Sequence, residues 1–160
     1  MFNLVNFDET LKLDNQFCFV LYALSRKITS LYRPLLKPLG LTYPQYLVML
    51  LLWEAQRADS SESKEQKGVS IKYLGERLYL DTGTLTPLLK RMESQGLLTR
   101  VRSQLDEREV LVTLTDAGID LKERAKQIPM DLLCQSNMPL DKIGPLQSEL
   151  KALLALTSEN

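Results

Sequence analysis

At 160 residues the chain has length for one domain, or one domain with a helical extension. Lys plus Arg and Asp plus Glu balance at 20 each, so net charge selects no partner and charge must be read locally. The absence of histidine removes the commonest metal ligand, the commonest general base and the His-dependent nucleophiles, and two cysteines alone make a poor zinc site.

The first fourteen residues carry Asp8, Glu9 and Asp14 and no apolar run, unlike a signal peptide. The longest apolar run, 46–53, is far short of the roughly 20 residues of a membrane span. A soluble, cytoplasmic protein with no membrane partner, no metal and no cofactor is expected. In a reducing compartment two cysteines point to inert or redox-responsive thiols rather than a structural disulfide.

A long helix is expected over 11–36, where Phe17, Leu21, Leu24, Ile28 and Leu31 recur at three- and four-residue spacing. Pro34, Pro38 and Gly40 should end it. Thr42 is a candidate N-cap for a second, strongly apolar helix running to about residue 55. The polar stretch 58–68, ADSSESKEQKG, reads as a mobile loop. Ser70 can then cap a short helix with Ile71, Leu74 and Leu78 on one face. A turn at Tyr79-Leu80-Asp81 leads to a helix over about 82–95, and Gly96 sits where a left-handed C-terminal residue belongs. Residues 98–102 and 108–114 read as two strands, the second alternating through Val110, Val112 and Leu114. Thr115 caps a further helix that Pro129 breaks or kinks, and a last helix covers about 140–156.

This order is a helix-turn-helix followed by a hairpin wing, a mainly α fold with a small β element (α+β). In the 82–95 helix, Leu85, Leu88, Leu89 and Met92 share an inward face. Thr84, Pro87 and Arg91 lie on another, with Thr82, Thr86 and Lys90 nearby. Short hydroxyl and methyl groups near the N-terminus, with cations further along, suit a helix in a DNA major groove. The alternative is an ordinary capped surface helix. Pro87 tips the balance, because a proline that deep in a helix omits a backbone bond, and positions that break local rules are more often functional. Around the hairpin Arg100, Arg102 and Arg108 cluster, with Asp106 placed to brace Arg108 for a minor groove. A surface salt bridge is the bland reading of that pair. Arg26, Lys27, Arg33 and Lys37 form a basic stretch suited to solvent or phosphates.

Cys18, Tyr22, Ser25, Thr29 and Tyr32 form a polar stripe on the first helix. If Asp14 caps that helix, Cys18 lies about one turn in, where the dipole slightly favours a thiolate. Phenol donors could add to this. Tyr32, however, is fourteen residues on, roughly 21 Å along the same helix, so any contact with Cys18 must come from another subunit. A cysteine between Phe17 and Phe19 is also a common small buried hydrophobe.

Three stretches, LDNQFCFVLYALSRKITSLYRPLLKPLGLTYPQYLVMLLLWE, LGERLYLDTGTLTPLLKRMESQGLLTR and DEREVLVTLTDAG, together resemble the MarR family and, within it, the organic-hydroperoxide-sensing OhrR branch. The resemblance implies a single MarR-type domain over 1–160, with a winged-helix part at about 42–118 and dimerisation helices at about 8–38 and 119–160. It implies that Cys18 is the peroxidatic sensor and that Tyr32 and Tyr43 donate hydrogen bonds to it across the dimer. Residues Asp81 to Arg91 match the recognition helix, Arg108 the wing arginine and Asp106 its brace. Cys134 resembles the second cysteine of the two-cysteine members, which implies a sulfenic acid followed by an intersubunit disulfide. The implied partners are an inverted-repeat DNA operator, a second copy of the chain and an organic hydroperoxide as inducer. Two readings compete with this non-enzymatic one: a MarR-type repressor responding to a small phenolic ligand, and a thiol peroxidase. A helical interaction protein without DNA binding ranks below them.

Overall fold

The structure is a computed structural model, and it describes residues 7–58, 68–136 and 138–157. Its elements run α1 (Phe7–Thr10), α2 (Phe17–Leu36), α3 (Tyr43–Ala58), β1 (Val69–Ser70), α4 (Ile71–Leu78), α5 (Thr82–Ser94), β2 (Leu98–Arg102), β3 (Val110–Leu114), α6 (Asp116–Ala125), α7 (Ile128–Ser136) and α8 (Leu140–Thr157). They divide into two compact units, one of residues 36–127 and one of 1–35 with 128–160.

The 36–127 unit is a winged helix-turn-helix, as the sequence predicts. Its core is Tyr46, Val48, Met49, Leu52 and Trp53 of α3 against Leu74 of α4 and Leu85, Leu89 and Met92 of α5. The buried Trp53 indole donates to the Gly118 carbonyl at 2.9 Å, which fixes α6 against α3. Gly118 has no room for a side chain, since a Cβ there would lie 2.1 Å from the Leu97 carbonyl oxygen. Thr115 caps α6 by accepting from the Gly118 amide at 3.1 Å and donates to the Gly96 carbonyl at 2.5 Å. Its cap and its tryptophan contact thus tie α6 to the winged-helix unit.

The sheet has three antiparallel strands in the order β1-β3-β2, where the sequence predicts two. β1 is only two residues long, pairing Val69 with Val112 and Ser70 with Leu111, too short for an alternating pattern. β2 and β3 pair from Leu98 with Leu114 to Arg102 with Val110.

Other boundaries also differ, and β3 starts at Val110 rather than at residue 108. The first long helix starts at Phe17, not residue 11, because the chain before it folds into α1 and a 3₁₀ turn, Leu13–Asn15. The Asn15 amide donates to the Glu9 carbonyl at 2.7 Å and the Gln16 amide to the Thr10 carbonyl, so side chains capture the groups a continuous helix would use. Asp14 lies inside that turn and is not the helix cap. Pro34 does not end α2, which carries it within its last turn and closes at Leu36. α3 reaches Ala58, so the polar stretch starts later than expected, and residues 59–67 of it lie outside the described residues. The break before α7 falls at Lys126–Gln127, and Pro129 sits in the first turn of α7, where a missing amide costs nothing.

The other unit is all helix. Among its described residues only Ile128 is a buried apolar side chain, while Leu13, Phe17, Val20 and Leu24 and, on α8, Leu146, Leu150 and Leu154 are exposed. Leu24 and Ile28 line an open apolar cavity of about 280 Å³ with Leu146, Leu150 and Leu154.

Candidate functional site

The helix-turn-helix is assembled by caps at each of its ends. Ser70 accepts from the Tyr73 amide at 3.1 Å and starts α4. The turn reverses at Tyr79, whose φ is 54° and ψ 41°, and its amide closes on the Gly75 carbonyl. Asp81 then caps α5, accepting from the Thr84 amide at 2.9 Å and the Thr84 hydroxyl at 2.6 Å. Those Thr84 hydrogen bonds, side chain first and then backbone, hold the Asp81 carboxyl below its ordinary value. A Cβ on Gly83 would sit 2.9 Å from Asp81 Oδ1, so a side chain there would displace the capping carboxylate.

The inward face of α5 is Leu85, Leu89 and Met92, fully buried, with Leu88 half-buried. Outward lie Thr82, Thr84, Pro87, Lys90 and Arg91, all exposed, and Thr86, half-buried. Asp81 and Thr84 are committed to each other. Among the described residues the side chains of Thr82, Thr86, Lys90 and Arg91 have no protein partner, which leaves them available to a ligand.

The wing loop, 103–109, is fixed by its own polar groups. The buried Ser103 hydroxyl accepts from the Leu105 and Asp106 amides at 3.2 and 3.3 Å. Asp106 Oδ1 accepts from the Arg108 amide at 2.9 Å. Asp106 thus braces the backbone of Arg108, and among the described residues the two side chains form no salt bridge. Arg108 is exposed and has no ion-pair partner among the described residues. Arg100 does not join it, because its guanidinium and amide clasp Glu93 of α5 at 2.6 to 3.0 Å. The Arg100 hydrogen bond holds the Glu93 carboxyl below its usual range. This clasp, which charge clustering alone does not reveal, fixes the wing to the recognition helix. An open groove of about 560 Å³ separates the two, with Thr82, Thr86, Arg100 and Arg108 in its walls.

α3 is joined to the far end of α5 by glutamines. Gln45, buried, accepts from the Thr42 amide at 2.8 Å and donates to Gln95 at 3.1 Å, and Gln95 donates to the Gly40 carbonyl at 3.3 Å. Tyr43, the first residue of α3, is half-buried, and burial pushes its phenol up, so it stays a neutral hydrogen-bond donor at ordinary pH. The Tyr46 phenol is raised too, by burial and then by Tyr43.

In the helical unit Cys18 is the second residue of α2 and Cys134 lies in α7; both are exposed free thiols. Tyr32 is half-buried on α2, fourteen residues from Cys18, so about 21 Å of helix separates them within one chain. Tyr22, on the same polar stripe, stacks under the Arg26 guanidinium at 5.6 Å.

A model of the transcriptional regulator SarA/Rot family matches residues 30–125. The organic hydroperoxide resistance transcriptional regulator of Bacillus subtilis (strain 168) is 51% identical over 144 residues, 90% of each chain. The chain belongs to the MarR family of winged-helix transcriptional regulators. Reduced AbfR bound to DNA superposes with a TM-score of 0.70 at 35% identity, over 95% of this chain and 99% of that one. The disulfide-formed AbfR gives 0.58 at the same identity, over 92% and 96%. AbfR is a Staphylococcus epidermidis protein. No single helix among the described residues is long and apolar enough to cross a membrane.

Proposed function

We propose that this chain is a cytoplasmic, non-enzymatic repressor that binds its operator as a homodimer and releases it when an organic hydroperoxide oxidises Cys18. The observation that carries this is the pairing, in one chain, of an exposed thiol in the first turn of α2 with an outward, unpartnered Thr82, Thr86, Lys90 and Arg91 face on α5. The relative of half-identical sequence, whose name joins hydroperoxide resistance to transcription, supports it.

In the reduced dimer, two copies of α5 enter successive major grooves of an inverted repeat about 34–36 Å apart. Thr82, Thr86 and Pro87 face bases and sugar edges, Lys90 and Arg91 face phosphates, and Asp81, bonded to Thr84, holds the helix end in shape. Each wing presents Arg108 to a flanking minor groove with its backbone braced by Asp106. The helices of residues 8–38 and 119–160, less α6, form the dimer interface, and Tyr32 and Tyr43 of one copy donate to Cys18 of the other. The distance along α2 supports the intersubunit part of that assignment for Tyr32.

The chemistry balances without a cofactor. The Cys18 thiolate attacks one peroxide oxygen, the O–O bond breaks, and an alcohol leaves with Cys18 as a sulfenic acid. The Cys134 thiol of the other subunit then displaces that oxygen as water and leaves an intersubunit disulfide. A hundredfold loss of operator affinity needs about 2.7 kcal/mol of coupling, within the range of allosteric proteins.

Fluorescence anisotropy on promoter DNA from beside its own gene, with and without cumene hydroperoxide, tests this. Wild type should dissociate and rebind on reduction, while Cys18→Ser stays bound. Equal retention of both proteins on DNA under peroxide would remove the redox reading and favour a ligand-responsive repressor.

A further inference from the structure

Tyr79 is the only non-glycine residue at positive φ among the described residues. That conformation costs any residue with a Cβ and is free for glycine, and asparagine tolerates it. The turn requires it. The Leu80 amide donates to the Gly75 carbonyl at 3.0 Å, the Tyr79 amide shares that acceptor, and Gly75 has no space because a Cβ would lie 2.9 Å from the Leu80 carbonyl. Local geometry therefore asks for glycine or asparagine at 79, and the chain carries a large aromatic instead.

The ring does not repay that strain inside the fold. Tyr79 is 66% exposed, and its hydroxyl has no hydrogen-bond partner among the described residues. Its place in the chain is informative: Leu80 follows, then the cap Asp81, then Thr82, the first residue of the recognition helix. A strained, exposed residue kept beside a binding element is a reason to look for a contact outside the protein.

We propose that Tyr79 contacts the operator, donating its phenol O–H to a backbone phosphate at the edge of the groove that α5 enters. This rests on the DNA-binding reading above. A phosphate fits better than a base, because the residue lies outside the helix, before its cap, and contacts flanking a recognition helix go mainly to the backbone. Tyrosine is neutral, so the contact adds a hydrogen bond without releasing a counterion. That gives it a signature different from Lys90, Arg91 or Arg108, each of which steepens the salt dependence by about 0.9 per neutralised phosphate.

The test uses the full-length reduced protein, with anisotropy on the promoter duplex across a salt series and thermal melts of the same samples. Tyr79→Gly should melt higher than wild type yet bind about tenfold more weakly, as expected for one lost hydrogen bond to a charged group. Tyr79→Phe, which keeps the ring and the strain, should melt like wild type and share the affinity loss. Both should keep the wild-type salt slope, while Arg91→Ala lowers it. Full affinity in Tyr79→Phe overturns the proposal, whatever Tyr79→Gly does, and so does a changed salt slope in either variant. If wild type fails to bind the duplex, the DNA-binding reading falls and this contact with it. If wild type binds and both variants bind as well, only the Tyr79 contact falls.

Discussion

The two units treat their apolar residues in opposite ways. Every buried apolar side chain among the described residues except Ile128 lies within 36–127. The helices outside that stretch carry Phe17, Val20, Leu146, Leu150 and Leu154 in contact with solvent. One unit closes its own core and satisfies its own helix ends. The other has the amphipathic pattern of core helices and leaves much of that face open, as expected of a surface completed by a second copy. Stability of the winged helix should therefore depend on its internal packing, and stability of the helical unit on protein concentration.

The sharpest way to break the first half of that contrast is Gly118→Ala. A methyl group 2.1 Å from the Leu97 carbonyl must push α6 off the sheet and off Trp53. The expected cost is about 3 kcal/mol, read as a lower urea midpoint at constant slope. Leu150→Glu addresses the other unit. A charge on that exposed row should weaken dimerisation by about 2 kcal/mol, roughly thirtyfold in sedimentation equilibrium, with an unchanged far-ultraviolet spectrum. A Leu150→Glu chain that unfolds at all concentrations would mean that the row serves its own subunit. Smaller still is Thr115→Ala, which removes the α6 cap and should lower stability by about 1 kcal/mol in the same urea titration.

The smallest effect is one of pH. Thr84 hydrogen bonds hold the Asp81 carboxyl below its ordinary value, so its ionised form stabilises the folded state. That contribution is complete above the ordinary carboxylate range and is lost as pH falls through it towards the lowered value. Asp81→Asn keeps a capping side chain and does not titrate. The difference in melting temperature between wild type and Asp81→Asn should therefore shift against wild type on acidification, and stay flat at neutral pH and above.

The contrast between the units also explains what was legible in the sequence. Ser70, Asp81 to Gly96 and Thr115 are read correctly because caps, left-handed glycines and three-four spacing are local rules, and the closed unit obeys them. Thr42 is legible as a candidate cap of α3, but its partner Gln45 reaches on to Gln95, fifty residues away, and no local rule extends that far. The same holds for Arg100. In sequence it is one of three basic residues near a loop, and only the return of β2 alongside α5 delivers it to Glu93. The start of α2 is not legible, because Leu11 and Leu13 continue the apolar pattern while the side-chain bonds of Asn15 and Gln16 interrupt the helix without disturbing that pattern. For Cys18 a place on a helix was legible, for Cys134 only its place after Pro129, and the resemblance, not spacing, supplied the chemistry of both.

The account places sensing in the open unit and reading in the closed one, and oxidation must connect them. The most direct test follows both in one sample: operator-bound reduced protein titrated with cumene hydroperoxide, with Cys18 oxidation scored by mass spectrometry after dimedone trapping and alkylation, and DNA occupancy by anisotropy. The account predicts that occupancy falls in step with the fraction of Cys18 oxidised and recovers with dithiothreitol. Complete oxidation of Cys18 with the operator still bound, or release while Cys18 remains a free thiol, would contradict it.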